Sequence, residues 1–170
     1  MDVGSGHATL GSNTKTLENA GWRGVCIDPF PTGDWAGRSA KLYNDVVSSK
    51  SGEIVEFRNA GGLGGIDSHI TSYRKDVEEH PLTKLATTTL EEVLDRANAP
   101  NHIHYISLDI EGAEYEVLRV FPFTKYTVGA FTIEHNFEEP RRSLIRKLLT
   151  SKGYSLAQEC AVEDWYILRD

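Results

Sequence analysis

Three short stretches carry side chains whose types and spacing suit them to ligand chemistry. The first is Asp2-Val3-Gly4-Ser5-Gly6, an acid running into two glycines one residue apart. A parallel strand hands over to a helix in this way when a ligand must approach the backbone closely. The second is Asp28, which closes the apolar run Val25-Cys26-Ile27. Strand, Gly-rich turn, helix, strand and acid is the order in which mononucleotide-binding halves hold an adenosine, with backbone N–H groups at the turn and a carboxylate on the ribose hydroxyls. The third is a pair of acidic segments, Asp109-Ile110-Glu111-Gly112 and Glu134-His135-Asn136, each delivered by an apolar run. Ligands of open α/β sheets bind beyond the carboxyl ends of the strands, and every one of these acids is expected at such an end. There is no third glycine near Thr9, so a ligand without a pyrophosphate fits better than a dinucleotide.

The elements that must position these groups follow from periodicity and punctuation. Ser12 can cap a first helix that carries Leu17 and Ala20 and stops at Gly21. A short helix over residues 35–42, a third strand over 43–47 and a half-exposed strand over 53–57 come next, the two strands forming a hairpin across the turn residues 48–52. Four glycines in the five positions 61–65 make either a plain loop or a lid that orders over a ligand. Residues 71–81 read as exposed connection. A short strand over 86–88 enters the capping-box pattern Thr89-Leu90-Glu91-Glu92, and Leu90, Val93, Leu94 and Ala97 at helical spacing give a helix to about Asn98. Strands over 103–108 and 126–133 enclose a helix through Leu118. Pro140 opens a helix striped by Leu144, Ile145, Leu148 and Leu149, and two last strands, 154–156 and 165–168, pair antiparallel. The reading is a single α/β domain, residues 1–170, with a doubly wound, mostly parallel sheet, a short first strand and an antiparallel C-terminal hairpin.

Composition narrows the function classes. A formal charge of −7 disfavours a nucleic-acid surface, which needs clustered Lys and Arg. Arg141-Arg142 and Arg146-Lys147 read as the solvated face of a helix. No apolar run approaches membrane-spanning length and no secretion signal opens the chain, so a cytoplasmic protein is expected. Two cysteines make no disulfide framework, and Cys26 reads as a small core hydrophobe. Zinc-finger, P-loop and zinc-protease motifs are absent from the sequence.

Further residues carry a resemblance. Asp2-Val3-Gly4-Ser5-Gly6, Ser12-Asn13-Thr14, Gly21-Trp22-Arg23-Gly24-Val25, Ser107-Leu108-Asp109-Ile110-Glu111-Gly112-Ala113-Glu114, Phe121-Pro122-Phe123, Glu134-His135-Asn136 and Asp164-Trp165-Tyr166 together resemble the FkbM family of S-adenosylmethionine-dependent methyltransferases. The resemblance implies a class I methyltransferase (Rossmann-like) fold, S-adenosyl-L-methionine as donor, and a hydroxyl of a small molecule such as a sugar or polyketide as acceptor. It places Gly4 and Gly6 under the methionine part, Asp28 on the ribose, and Asp45 and Val46 near the adenine, with Asp2 and Ser5 also among the cofactor-binding residues. The chain departs from the family pattern at Gly6-His7-Ala8, where an Asn-Asp-Gly-like sequence often stands, and this bears on the shape of the methionine pocket.

Methyl transfer from a sulfonium is an in-line displacement, so positioning supplies most of the catalysis, and a hydroxyl acceptor gains from a base that takes its proton. Asp109 and His135 are the expected catalytic pair, a neutral His135 accepting the proton and Asp109 orienting it or attracting the sulfonium. Glu111, Glu134 and Asn136 would contact substrate or, with Asp109 and His135, hold a divalent cation; the reading favours a mechanism without metal. Against these stand bland alternatives: Asp109 as a helix N-cap, His135 as a hydrogen-bonded loop residue, and Glu111 and Glu114 as helix-dipole partners. Two other functions remain open. One is a clipped, non-catalytic domain that binds S-adenosylmethionine or a partner protein, since only three residues precede the first glycine. The other is a nicotinamide oxidoreductase, disfavoured by the missing third glycine.

Overall fold

The computed structural model describes residues 1–169. In chain order its strands are β1 (Asp2–Val3), β2 (Val25–Ile27), β3 (Lys41–Tyr43), β4 (Val46–Val47), β5 (Ile54–Arg58), β6 (Gly65–Ile66), β7 (Leu82–Thr88), β8 (His102–Leu108), β9 (Thr127–Glu134), β10 (Tyr154–Cys160) and β11 (Glu163–Leu168). The helices are α1 (Lys15–Asn19), α2 (Arg74–Val77), α3 (Leu90–Arg96), α4 (Glu114–Leu118) and α5 (Arg141–Ser151). Seven strands form one sheet in the order β10-β11-β9-β8-β1-β2-β3, and β4-β7-β5-β6 form a smaller one.

The larger sheet is parallel except for β11, which runs antiparallel to both of its neighbours, β9 and β10. One face of its central strands is apolar, for Val3, Ile27, Ile106, Leu108, Phe131 and Ile133 share it by register and are each at most 1% exposed, while the other face carries Asp2, Cys26, Ser107 and Thr132, buried as well. Strand order reverses at β1, with β2 and β3 on one side and β8 and β9 on the other. Such a reversal opens a crevice at the carboxyl ends of the two strands that flank it. The first strand is short, as expected. It is nevertheless tied in, because the Met1 amine donates to Tyr105 O at 2.7 Å and Ser107 N donates to Met1 O at 2.9 Å.

Local chemistry explains the helix starts. Ser12 Oγ accepts from Lys15 N at 3.2 Å at the head of α1. Thr89 caps α3, its hydroxyl accepting from Glu92 N at 3.3 Å. Only half of the expected capping box forms, since Glu92 takes the Thr88 hydroxyl and Thr89 N donates to Ser51 Oγ.

Several expectations need correction. Residues 35–42 form one 3-10 turn, Trp35–Gly37, followed by β3 instead of a helix, because this stretch has few apolar anchors. The run 43–47 is not one strand. It splits at Asn44-Asp45, so that β3 joins the large sheet and β4 joins the small one beside β7. The expected hairpin is therefore absent, and β5 pairs antiparallel with β6 and β7. Residues 86–88 are the end of a seven-residue strand. The connection 71–81 contains α2, whose Val77 is fully buried. The basic face of α5 is not merely solvated, for Arg142 and Arg146 clamp the buried Asp164 at 2.8 and 3.0 Å. Among the described residues, no helix is long and apolar enough to cross a membrane.

Leu94 is fully enclosed in the main core together with Leu90, Val93 and Ile103. Leu94→Ala should therefore cost about 2–5 kcal/mol in urea unfolding, from lost burial plus the cavity left behind. A loss under ~1 kcal/mol would mean that α3 does not pack as described.

Candidate functional site

At the crevice, β1 ends in Gly4 (φ +82°) and Gly6 (φ +54°). Gly4 is obligatory: a Cβ there would lie 1.6 Å from Asp109 O, at the end of β8. The turn does not present its amides to a ligand, contrary to the expectation from the glycine pattern. Gly4 N and Ser5 N both donate to Ile27 O, Gly6 N to Asp28 Oδ2, and Ala8 N to Thr32 O. Thr9 N and Leu10 N both donate to His7 Nδ1, at 3.1 and 3.0 Å. Asp28 thus works inside the fold, taking Gly6 N on one oxygen and Phe30 N on the other, both at 2.8 Å. Burial pushes its pKa up in spite of these two N–H groups, and each oxygen keeps a further lone pair on a residue that lines the cleft.

Two adjoining spaces meet at Gly4. The larger, about 360 Å³, has Gly4, Ser5, Gly6 and His7 on one side, Asp109 at its base, and Gly61 and Gly62 opposite. The narrower runs from Gly4 past Asp28 to Asp45 and Val46, walled by Phe57 and Ile66 of the small sheet. The glycine-rich stretch therefore does border the cleft, through the 3-10 turn Gly61–Leu63. Asp45 lies at the cleft but is already ion-paired with Arg96, and Val46 is 4% exposed. Asp2 is placed elsewhere. It is fully buried, with one carboxylate oxygen on the Thr14 hydroxyl at 2.7 Å, so its expected contact with a cofactor is not supported by its position.

The acids converge. Oxygens of Asp109, Glu111 and Glu134 lie within 4.8 Å of one another. Burial, then the Glu134 charge, raises Asp109 well above the usual carboxylate range. Burial and the Asp109 charge push Glu111 up to about 8, and burial pushes Glu134 up to about 7. Like charges this close share protons instead of all ionising. Asn136 donates a long hydrogen bond, 3.4 Å, to Glu111. Asp109 is not a helix cap, because α4 starts five residues later. The turn between them is held by the buried Glu114, whose carboxylate accepts from Ile110 N and Gly112 N at 3.0 Å each and is pushed by burial to about 7. Glu114 is thus a structural clamp, a role that its sequence position does not betray.

His135 is the main correction to the expected catalytic pair. It is 3% exposed, its Nδ1 accepts from Phe137 N at 3.0 Å, and its Nε2 faces Asp164 at 3.4 Å. With Nδ1 taken by an N–H donor, the ring proton sits on Nε2, and no lone pair remains to receive a proton from a substrate. Burial lowers its pKa, with the Asp164 charge acting the other way. His135 shapes the Asn136-Phe137 turn, both residues of which are left-handed (φ +45° and +58°).

The domain model described as "Methyltransferase FkbM domain" matches residues 2–156, nearly the whole chain and all of the cleft. The chain belongs to the FkbM methyltransferase family. No curated protein and no solved structure matches it. In this FkbM chain the match covers the Gly-rich turn, Asp28 and the acids at the ends of β8 and β9. Arg142 and Arg146 lie inside the match and their partner Asp164 outside it.

Three carboxylates with raised pKa values give stability a defined pH dependence. Each binds protons more tightly in the folded chain than in the unfolded one, so unfolding releases protons over the window between the ordinary carboxylate range and about 7–8. Across that window the stability should fall as pH rises. Glu111→Gln should reduce the slope of thermal midpoint against pH between about 5 and 8. An unchanged slope would show that Glu111 is not held protonated.

Proposed function

We propose that the chain is an S-adenosylmethionine-dependent methyltransferase of the class I, Rossmann-like doubly wound type, acting on a hydroxyl of a small molecule. The observation that carries this reading is the cavity of about 360 Å³ at the strand-order reversal, floored by residues 4–6 and closed at its base by Asp109. It falls within the size range of small-molecule sites, roughly 300–1,000 Å³.

When bound, S-adenosylmethionine supplies an electrophilic methyl group on a positively charged sulfur. The chain's own residues then have three tasks. Asp28 accepts from the ribose hydroxyls with the lone pairs left free by Gly6 N and Phe30 N. Val46, Phe57 and Ile66 offer an apolar wall for the adenine. Asp109, held protonated by burial and by the Glu134 charge, stands where the cavity meets the buried acids, so it receives the acceptor's hydroxyl proton as its own proton passes to ionised Glu134, whose pKa of about 7 suits a base near neutral pH. Glu134 thus takes the role that His135 cannot fill.

Thermal unfolding with and without S-adenosylmethionine and S-adenosylhomocysteine tests the reading. A ligand that binds only the folded state raises the midpoint, and a flat response in well-folded protein would favour the non-catalytic interaction domain. Repeating the scan with magnesium tests the metal alternative: a rise that Glu111→Gln abolishes would place a cation among the three carboxylates. For catalysis, Asp109→Asn should lower turnover by at least about a hundredfold with an acceptor found by screening, with S-adenosylhomocysteine affinity changed by less than about threefold. Wild-type turnover in that variant would remove Asp109 from the mechanism.

A further inference from the structure

The larger cavity has no lysine or arginine in its wall, and Asp109 is its one acidic residue. A methyl donor of the class proposed above carries an α-carboxylate at the end of its methionine part, and that anion needs N–H donors. The turn beneath it has almost none to give. Between Gly4 and Leu10, six amides are spent inside the protein: two on Ile27 O, one on Asp28, one on Thr32 O and two on His7 Nδ1.

The same hydrogen bonds determine what His7 can do. Accepting two N–H groups at 3.1 and 3.0 Å occupies the Nδ1 lone pair, so the ring proton is on Nε2. The ring also packs on Gly33, where a Cβ would stand 2.6 Å from both Cε1 and Nε2. Nε2 is left as a fixed donor on a side chain that lines the cavity, beside the free side-chain amide of Asn13. Among the described residues, His7 N is also the one amide of residues 4–10 with no partner inside the protein. His7 therefore adds two uncommitted N–H groups to a wall whose other side-chain donors are Ser5, Asn13 and Thr32.

We infer that His7 is the residue that binds the carboxylate of the methyl donor, through Nε2–H and its own main-chain N–H, in place of the turn amides that other Gly-rich turns offer. This rests on the S-adenosylmethionine reading above. It assigns selectivity as well: the site prefers ligands that keep the amino-acid end over those trimmed to the thioether nucleoside. With its proton on Nε2 and its Nδ1 engaged, His7 has no part in taking the acceptor's proton.

Isothermal titration with S-adenosylhomocysteine and with 5′-methylthioadenosine, which lacks the amino-acid end, separates binding from scaffolding. His7→Asn keeps an acceptor near the Nδ1 position for Thr9 N and Leu10 N but loses the Nε2 reach. It should weaken S-adenosylhomocysteine on the order of tenfold and leave 5′-methylthioadenosine within about twofold, as expected for loss of one hydrogen bond to a charged group. His7→Gln, with an amide N–H near the Nε2 position, should recover part of the loss. Equal weakening of both ligands by His7→Asn would mean that His7 only shapes the turn, and unchanged affinity for both would mean that the carboxylate lies elsewhere. Either result overturns the assignment. Wild-type protein that binds neither ligand would instead overturn the S-adenosylmethionine reading, and this inference with it.

Discussion

The contact on which the rest of the site depends is the crossing of Gly4 over the carbonyl of Asp109. A side chain at Gly4 would meet that oxygen at 1.6 Å, so the ends of β1 and β8 can lie this close only with glycine there. Close approach fixes two things together. It directs the chain outward into residues 5–13, which wall the larger cavity, and it puts the first acid after β8 at the base of that cavity. The parallel registers Asp2↔Ser107 and Val3↔Leu108 align the two strands so that their ends coincide. A strand of two residues suffices because its neighbours on both sides and the Met1 amine hold it.

Charge in this end of the molecule is distributed in two contrasting ways. Asp164 is buried but meets Arg142, Arg146 and the Tyr166 hydroxyl, and its pKa is held down to about 2. Asp109, Glu111 and Glu134 are crowded with one another, and the nearby guanidinium of Arg141 is taken by Glu138 and His69 O. The first cluster is fully compensated and anchors α5 to β11. The second holds protons that the unfolded chain would release, which costs stability above the ordinary carboxylate range. Groups perturbed by burial and by like charge, and placed at a cavity, are the usual candidates for proton transfer. The first cluster lies away from the cavity and has no such use.

Much of this was legible in the sequence where the signal was local. The Gly-x-Gly turn, the acids at strand ends, the α3 and α5 periodicities and the antiparallel end of the sheet all rest on spacing within one element, and the structure has them. What failed depended on partners distant in sequence. The run 43–47 could not announce that Val46 pairs with Thr87 while Tyr43 pairs with Ile27. His135 looked like a base because a histidine at a strand end often is one; its fate was decided by Phe137 N and by Asp164, on β11. Arg142 and Arg146 read as a solvated face for the same reason. Glu114 had only a helix-dipole reading until the φ values of +53° and +109° at Glu111 and Gly112 produced a turn whose amides needed an acceptor.

The commitment of the turn amides also bears on how the site is prepared. A Gly-rich loop that waits with open N–H groups must be ordered by its ligand, at an entropic cost that glycine makes large. Here the turn is held by Ile27 O, Asp28, Thr32 O and His7 Nδ1, partners that belong to the fold itself. One carboxylate and one imidazole thereby each do two jobs, bracing the backbone with one edge and facing the cleft with what remains. Preorganisation of this kind lowers the cost of binding. It also narrows what can bind, because the donors still free are few and fixed, and a ligand must match them. On this argument the selectivity of the site lies less in the glycine pattern than in Asp28 and His7, the two side chains that hold the glycines in place.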